Sequence, residues 1–143
     1  MHGTLSLKRP NEWIKTTAKI VYEPLRADLK KESRNPKWTV VAEVDPEITR
    51  LYRWWIKRQW WLDLVQPMWY PHVTVIDGRR PIRNNERWKR LDGRRIEIEY
   101  SVNVEQHWKF FVLPVRSSVF DEIRQECGFH ETHPYHITFG RMK

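Results

Sequence analysis

The sequence has little of what disulfide-bonded or membrane-embedded proteins need. Cys127 is the only cysteine, so no disulfide can form within one chain. No apolar run reaches the ~18 residues of a membrane-spanning helix, and the opening "MHGTLSLKRP" lacks the apolar segment of a signal peptide. We therefore expect a cytoplasmic protein without membrane contact. Cys127 lies near the end of a predicted helix, so we expect a buried spectator thiol and not a nucleophile.

What is abundant is positive charge and tryptophan. The chain of 143 residues has a net charge of +8 and nine Trp, with ordinary apolar and charged fractions of 40% and 31%. The charge favours a polyanionic partner, and exposed aromatic rings can stack on nucleobases. The alternative is that most Trp side chains belong to the core and that the charge serves solubility. The length suits one domain over residues 1–143.

Strand and helix patterns occur in the same order in both halves of the chain. The first half predicts strands at 13–22 and 38–44, a helix at 46–59 and a strand at 70–76. The second half predicts strands at 95–102 and 107–115 joined by a turn at "NVEQ", a helix at 118–127 and a strand at 134–139. Further predictions are a short strand at 3–8, a loop or short helix at 23–37, and a short helix in "NNERWKRLDG", residues 84–93.

This repeated order predicts an α+β fold made of two duplicated β-β-α-β units. We expect two lobes, roughly residues 1–80 and 81–143, related by a pseudo-twofold axis. Antiparallel sheets would then surround a central cleft.

Each predicted unit ends on the same motif, His-x-Thr followed by an apolar residue. The motif is His72 to Val75 in "YPHVTVIDG" and His136 to Phe139 in "HPYHITFGRMK". Side chains two residues apart on a strand share a face, so His72 lies with Thr74 and His136 with Thr138. Two imidazoles can serve as general acid and base in phosphodiester cleavage, and two hydroxyls can bind the phosphate oxygens.

The paired motifs in a small basic chain resemble those of the 2H phosphoesterase superfamily. The segments "GTLSLK", "GRRIEIEYS" and "HWKFFVLPV" are similar to parts of its small phage-type members. The resemblance implies a bilobal fold, a hydrolase without metal or cofactor, and catalysis by His72, Thr74, His136 and Thr138. Family substrates include RNA 2′,3′-cyclic phosphates, ADP-ribose cyclic phosphates, oligoadenylates and cyclic oligonucleotides. Some phage members degrade the cyclic-nucleotide signals of bacterial immunity, which would place the protein in the host cytoplasm.

Many RNA-type members place the two motifs farther apart than this chain does. The shorter spacing leaves less room for loops that grip a long RNA. A nucleotide or cyclic oligonucleotide is therefore the expected substrate. RNA end processing and nucleotide binding without turnover are the alternatives. We expect a monomer or small homo-oligomer.

Five further residues are candidates for substrate binding. Arg79 and Arg80 follow the first motif, and Arg141 follows the second, where Gly140 would let a ligand approach closely. Tyr70 should share the face of His72 and stack on a base, whereas Trp69 should point to the core unless Pro71 redirects it. A solvated basic loop is the alternative for the two adjacent arginines.

Two other patterns have weaker functional interpretations. His130, His133 and His136 recur at every third residue but match no standard zinc-ligand spacing, so we predict no metal site. The pairs Trp54-Trp55 and Trp60-Trp61 flank a basic helix. Adjacent residues cannot both face one core, so we expect at least one Trp of each pair to be exposed, as part of a ligand wall or a partner surface.

Overall fold

The computed structural model describes residues 5–6, 11–24, 36–82 and 86–143. Within these ranges the strands are β1 (Leu5–Ser6), β2 (Trp13–Tyr22), β3 (Thr39–Glu43), β4 (His72–Asp77), β5 (Arg95–Ser101), β6 (Asn103–His107), β7 (Phe110–Arg116) and β8 (Tyr135–Arg141). The α-helices are α1 (Pro46–Trp60) and α2 (Ser118–Glu126), and a 3₁₀ turn spans Pro36–Trp38. No helix in the described ranges is long and apolar enough to cross a membrane.

Helix α1 begins and ends where local chemistry dictates. The Asp45 carboxylate accepts a hydrogen bond from the Glu47 N–H at 3.0 Å, and Pro46 occupies the first turn, where it has no N–H to leave unpaired. The helix ends at Trp61, which adopts a left-handed conformation with φ of 60° and donates its N–H to the Lys57 carbonyl. Helix α2 is capped in the same way by Ser117, whose hydroxyl accepts from the Val119 N–H.

Six strands pair into a closed antiparallel barrel in the order β2-β3-β4-β8-β7-β5, with β5 pairing back to β2. Strand β6 adds to the barrel along β7, and β1 pairs with β6. The closure between β4 and β8 is short, because its register consists of the single pair Val73 and Ile137. This seam is the shortest pairing in the barrel, and the β5–β7 pairing, with two residue pairs, is the next shortest.

Alternate side chains of the six strands form one apolar core with both helices. Tyr52 of α1 packs against Tyr100 of β5 and Phe139 of β8 at ring distances of 6.4 and 5.7 Å. Phe120 of α2 packs against Tyr135 at the other end of β8, 5.1 Å away. Burial of these rings is the main stabilising term, and it holds both helices on the barrel.

The expected bilobal α+β fold with a central cleft is wrong. The predicted first unit contributes β2, β3 and β4, and the second contributes β5, β7 and β8, but the two sets pair with each other along both edges, through β2–β5 and β4–β8. Hydrogen bonding across both edges leaves one continuous barrel with no cleft between lobes.

Several local predictions also need correction. The "NVEQ" segment, residues 103–106, is part of β6 and not a turn, so the hairpin turn lies at Trp108 and Lys109. Residues 86–93 form turns and not a helix. The rest of the strand predicted at 3–8, residues 25–35, and Asn84 and Asn85 lie outside the described residues.

The prediction for the tryptophan pairs is confirmed. Trp55 is 7% exposed and Trp60 is half-buried, whereas their neighbours Trp54 and Trp61 are 55% and 90% exposed. Helical geometry accounts for Trp54 and Trp55, whereas Trp61 lies past the end of α1, where its left-handed conformation ends the helix.

Candidate functional site

The four motif side chains lie together on the two strands that form the seam of the barrel. Val73 of β4 and Ile137 of β8 pair directly and are fully buried on the core side. Antiparallel register then places His72 across from Thr138, and Thr74 across from His136, on the opposite face of the sheet. All four are partly exposed. Strand alternation and register together put two imidazoles and two hydroxyls on one surface.

Strands β7 and β6 continue this surface beyond β8. Val112 pairs with Thr138 and Pro114 pairs with His136, so both side chains share the face of the motif residues. On the next strand, His107 pairs with Phe110 and shares that face as well. The four adjacent strands thus present one continuous wall.

A pocket of about 730 Å³, which we call the histidine pocket, lies over this wall. Its lining residues come from β4, β6, β7, β8, the β6–β7 turn and the segment before β4, and are Pro67, Met68, Trp69, Pro71, His72, Thr74, His107, Lys109, Phe110, Val112, His136, Thr138 and Arg141. The volume is in the ~300–1,000 Å³ range of small-molecule sites. Both motifs therefore open into one ligand-sized space.

The histidine pocket combines cationic and apolar groups. Lys109 and Arg141 line it, and no carboxylate is among its described lining residues. Met68, Trp69 and Phe110 supply apolar and aromatic surface. Such a lining suits an anion attached to a flat ring, because the cations attract the anion and the rings can stack.

The ring orientation of His72 is set by a backbone carbonyl. Its Nδ1 lies 2.7 Å from the Tyr70 oxygen. A carbonyl oxygen only accepts, so Nδ1 carries the hydrogen, and in the neutral ring Nε2 is left as the proton acceptor. The contact selects one tautomer of His72.

His136 is in a different environment. Burial lowers its pKa below the ordinary 6.5, with a further lowering from the nearby His107 and His133, which Glu105 partly opposes. The His107 ring stands nearly perpendicular to that of His136, with centroids 5.8 Å apart, and its Nε2 lies 3.0 Å from the Glu105 carboxylate. The neutral form of His136, which can accept a proton, is therefore favoured.

The predicted substrate-binding residues lie in three different regions. Arg141 and Trp69 line the histidine pocket. Tyr70 is 55% exposed and lines a different pocket, together with Asp45 and Arg95. Tyr70 does not lie beside His72 as expected, because β4 begins only at His72 and the preceding Pro71 is not in the strand. Trp69 follows the stated alternative, in which Pro71 redirects its side chain away from the core, since it lines the histidine pocket.

Arg79 and Arg80 do not reach the histidine pocket. They follow Asp77, the last residue of β4, at the opposite end of that strand from His72. Arg79 pairs with Asp77 at 3.3 Å, and Arg80 pairs with Glu131 at 3.0 Å. Both arginines thus have carboxylate partners away from the motifs.

The absence of a side chain at Gly140 permits a close contact within the protein and not with a ligand. A Cβ at this position would lie 2.9 Å from the Leu64 Cβ and Cδ1 atoms. The close approach expected of a ligand is therefore made by Leu64, while the next residue, Arg141, extends to the pocket.

His107 and Lys109 line the histidine pocket but were not predicted from the sequence as site residues. The predicted strand 107–115 contained both, but the "NVEQ" turn hid the extra strand that brings His107 beside His136. The alternation of apolar and polar residues in β5 continues through Val102 and Val104, and this continuation could have indicated β6.

No group of three His, Cys, Asp or Glu side chains that could hold a metal ion occurs in the described part of the chain. Cys127 is half-buried, and burial raises the pKa of its thiol to about 11. This environment disfavours the reactive thiolate.

Comparisons of the chain with protein-family models, with curated proteins and with solved structures give no match. The resemblance to 2H phosphoesterases rests on the motifs and the quoted segments alone, and it stays a prediction.

Proposed function

We propose that the protein is a phosphodiesterase that cleaves a small nucleotide phosphodiester without a metal. The observation that supports this proposal most strongly is the meeting of both His-x-Thr motifs in one pocket that has cationic and aromatic walls and no described carboxylate in its lining. An anionic phosphate would be attracted there, and a nucleobase could stack on Trp69 or Phe110.

In this proposal the two histidines divide the proton transfers. The lowered pKa of His136 favours it as the base that takes a proton from the attacking water or 2′-hydroxyl. The attacking oxygen bonds to phosphorus, and the bond from phosphorus to the leaving oxygen breaks. His72, held by the Tyr70 carbonyl through Nδ1, gives the Nε2 proton to the leaving oxygen when it is protonated.

The threonines and cations would bind the phosphate. Thr74 and Thr138 alternate with the histidines on the same face, so their hydroxyls can donate to the non-bridging oxygens. Lys109 and Arg141 would stabilise the charge that develops on these oxygens. A cyclic oligonucleotide of bacterial immunity is the substrate that the family resemblance favours, which would make the protein a phage anti-defence factor in the host cytoplasm.

The test is turnover of a substrate panel by the wild type and single variants. The panel contains cyclic di- and trinucleotides, 2′–5′ oligoadenylate and RNA 2′,3′-cyclic phosphate, with products identified by mass spectrometry. His72→Ala and His136→Ala should each lower kcat/KM by about 10²–10⁴-fold. Thr74→Ala should also lower it, whereas the control Thr17→Ala, exposed on β2, should not.

Full activity in both histidine variants would contradict the proposal. Loss of activity in EDTA would favour a metal enzyme. A ligand recovered intact after long incubation would identify a binding module, and a steep salt dependence of affinity would point to RNA.

A further inference from the structure

A second pocket adjoins the histidine pocket across a shared wall. It has a volume of about 550 Å³ and lies between α2, the segment 129–134 and the face of β7. His107 and His136 line both pockets. A ligand whose phosphate sits beside His136 can therefore extend into either space.

The two pockets differ in charge. Three carboxylates line the second pocket, Glu105, Asp121 and Glu131, together with Arg116 and Arg124, whereas none of the described lining residues of the histidine pocket is acidic. Both arginines are engaged by carboxylates, Arg116 by Glu99 at 3.0 Å and Arg124 by Glu131 at 3.2 Å, so they attract a phosphate less than the cations of the histidine pocket, whose described lining has no acid. The charge contrast assigns the phosphate to the histidine pocket.

The charged groups of the second pocket are already paired within the protein. Asp121 accepts from the Tyr135 hydroxyl at 2.9 Å, and Glu105 pairs with His107 at 3.0 Å. Glu131 lies 3.2 Å from Arg124, which also donates to the Val75 carbonyl at 2.9 Å. The pocket is therefore polar but internally compensated, which suits a neutral ligand better than an ion.

Other lining side chains supply hydrogen bonds and an apolar floor. Gln125, His130 and Thr132 are exposed and can donate or accept, while Phe129 and Tyr135 are buried beneath them. A nucleoside matches this combination, because it carries hydroxyl and base hydrogen-bonding groups on a flat ring without charge.

We propose that the second pocket binds the leaving-group nucleoside of the substrate, an inference that rests on the proposed function. The substrate is then a phosphodiester that joins two nucleosides, with its phosphate and one nucleoside in the histidine pocket. A nucleoside 2′,3′-cyclic phosphate needs only the histidine pocket, because its leaving oxygen stays on the same ribose.

The test fills the second pocket with a large side chain. Gln125→Trp blocks the pocket from α2, and Glu122→Trp is the matched control, since Glu122 is exposed on the same helix and does not line the pocket. Gln125→Trp should lower kcat/KM for a dinucleoside monophosphate by at least about tenfold. It should change kcat/KM for a nucleoside 2′,3′-cyclic phosphate by less than about twofold, as should the control for both substrates.

Equal losses with both substrates, or no loss with either, would overturn the second pocket as a nucleoside site. A binding measurement tests the second pocket even if the proposed phosphodiesterase activity is absent. In a His72→Ala background, calorimetry compares a dinucleoside monophosphate with a nucleoside 3′-monophosphate. If the wild type cleaves nothing, the phosphodiesterase proposal falls. The second pocket is then supported as a nucleoside site if Gln125→Trp weakens the binding of the dinucleoside monophosphate alone. It is overturned if Gln125→Trp weakens the binding of both ligands equally or of neither, or if the dinucleoside monophosphate does not bind.

Discussion

Gly140→Ala is expected to destabilise the protein by pushing apart two segments that hold Arg141 in place. The new Cβ would lie 2.9 Å from both Cβ and Cδ1 of Leu64, and 3.4 Å from Cγ of Arg53. Leu64 cannot withdraw freely, because the next residue, Val65, exchanges two backbone hydrogen bonds with Arg141, at 2.8 and 3.1 Å. The clash must therefore shift the backbone on one side.

The expected cost follows from these contacts. Forcing an extra methyl group into a packed site costs about 1–3 kcal/mol. Loss of one backbone hydrogen bond between Val65 and Arg141 would add about 1 kcal/mol. Because the flexible ends of Leu64 and Arg53 can relieve part of the clash, we expect the free energy of unfolding to fall by about 2 kcal/mol.

Urea denaturation, followed by tryptophan fluorescence, measures this change, and a double-mutant cycle with Leu64→Ala tests its cause. Leu64→Ala removes Cδ1 but keeps Cβ, so it should recover about 0.5–1 kcal/mol of the cost of Gly140→Ala. Gly93→Ala is the contrast, because φ is +76° there and no atom lies within 4 Å of the added Cβ. Its cost of about 1 kcal/mol comes from the backbone, and Leu64→Ala should not reduce it. A cost below about 0.5 kcal/mol at Gly140, or strict additivity in the cycle, would refute the reasoning.

Three further predictions follow from groups whose environment is clear. Burial is the main cause that lowers the pKa values of His133 and His136. As the pH falls through 6.5 the unfolded chain therefore binds protons first, so the free energy of unfolding should decrease, whereas above this pH it should level off. A wild-type pH slope in the double variant with both histidines changed to Gln would contradict this. Ser117→Ala removes the cap of α2 and should cost about 1 kcal/mol in urea denaturation. Cys127, with its thiol pKa raised to about 11, should react with iodoacetamide at pH 8 at least about tenfold more slowly in the native protein than in urea, and equal rates would contradict its burial.

The described helices and most strands could be predicted because their patterns are local. Asp45 and Pro46 mark the start of α1 within the sequence itself, and the buried alternation of β4 and β8 follows from residues two apart. The exposed Trp54 follows equally from helical geometry. Such features need no knowledge of distant residues.

The closure of the barrel could not be predicted, because it depends on pairings between residues far apart in the chain. Nothing near Thr16 indicates that it will pair with Ile98, and nothing near Val73 selects Ile137. Repetition of the element order suggested two separate lobes. The same order is equally compatible with two three-stranded sheets that share both edges.

The candidate site could also be predicted only in part from the sequence. Alternation predicted that each histidine shares a face with its threonine, and both motifs do line one pocket. The contributions of His107 and Lys109 depend on the hairpin of β6 and β7, whose turn was placed several residues too early. Because this turn was misplaced, a lysine and a histidine were absent from the predicted site.

The barrel changes how the two motifs are held relative to each other. Between two lobes, the separation of His72 and His136 would vary with lobe movement. In the barrel, each histidine is instead fixed by its own strand, since β4 pairs along its length with β3 and β8 along its length with β7. The single pair Val73 and Ile137 then sets how far apart the two strands lie. Because proton transfer requires positions held within a fraction of an ångström, packing around this buried pair should affect the candidate site more than it affects either strand alone.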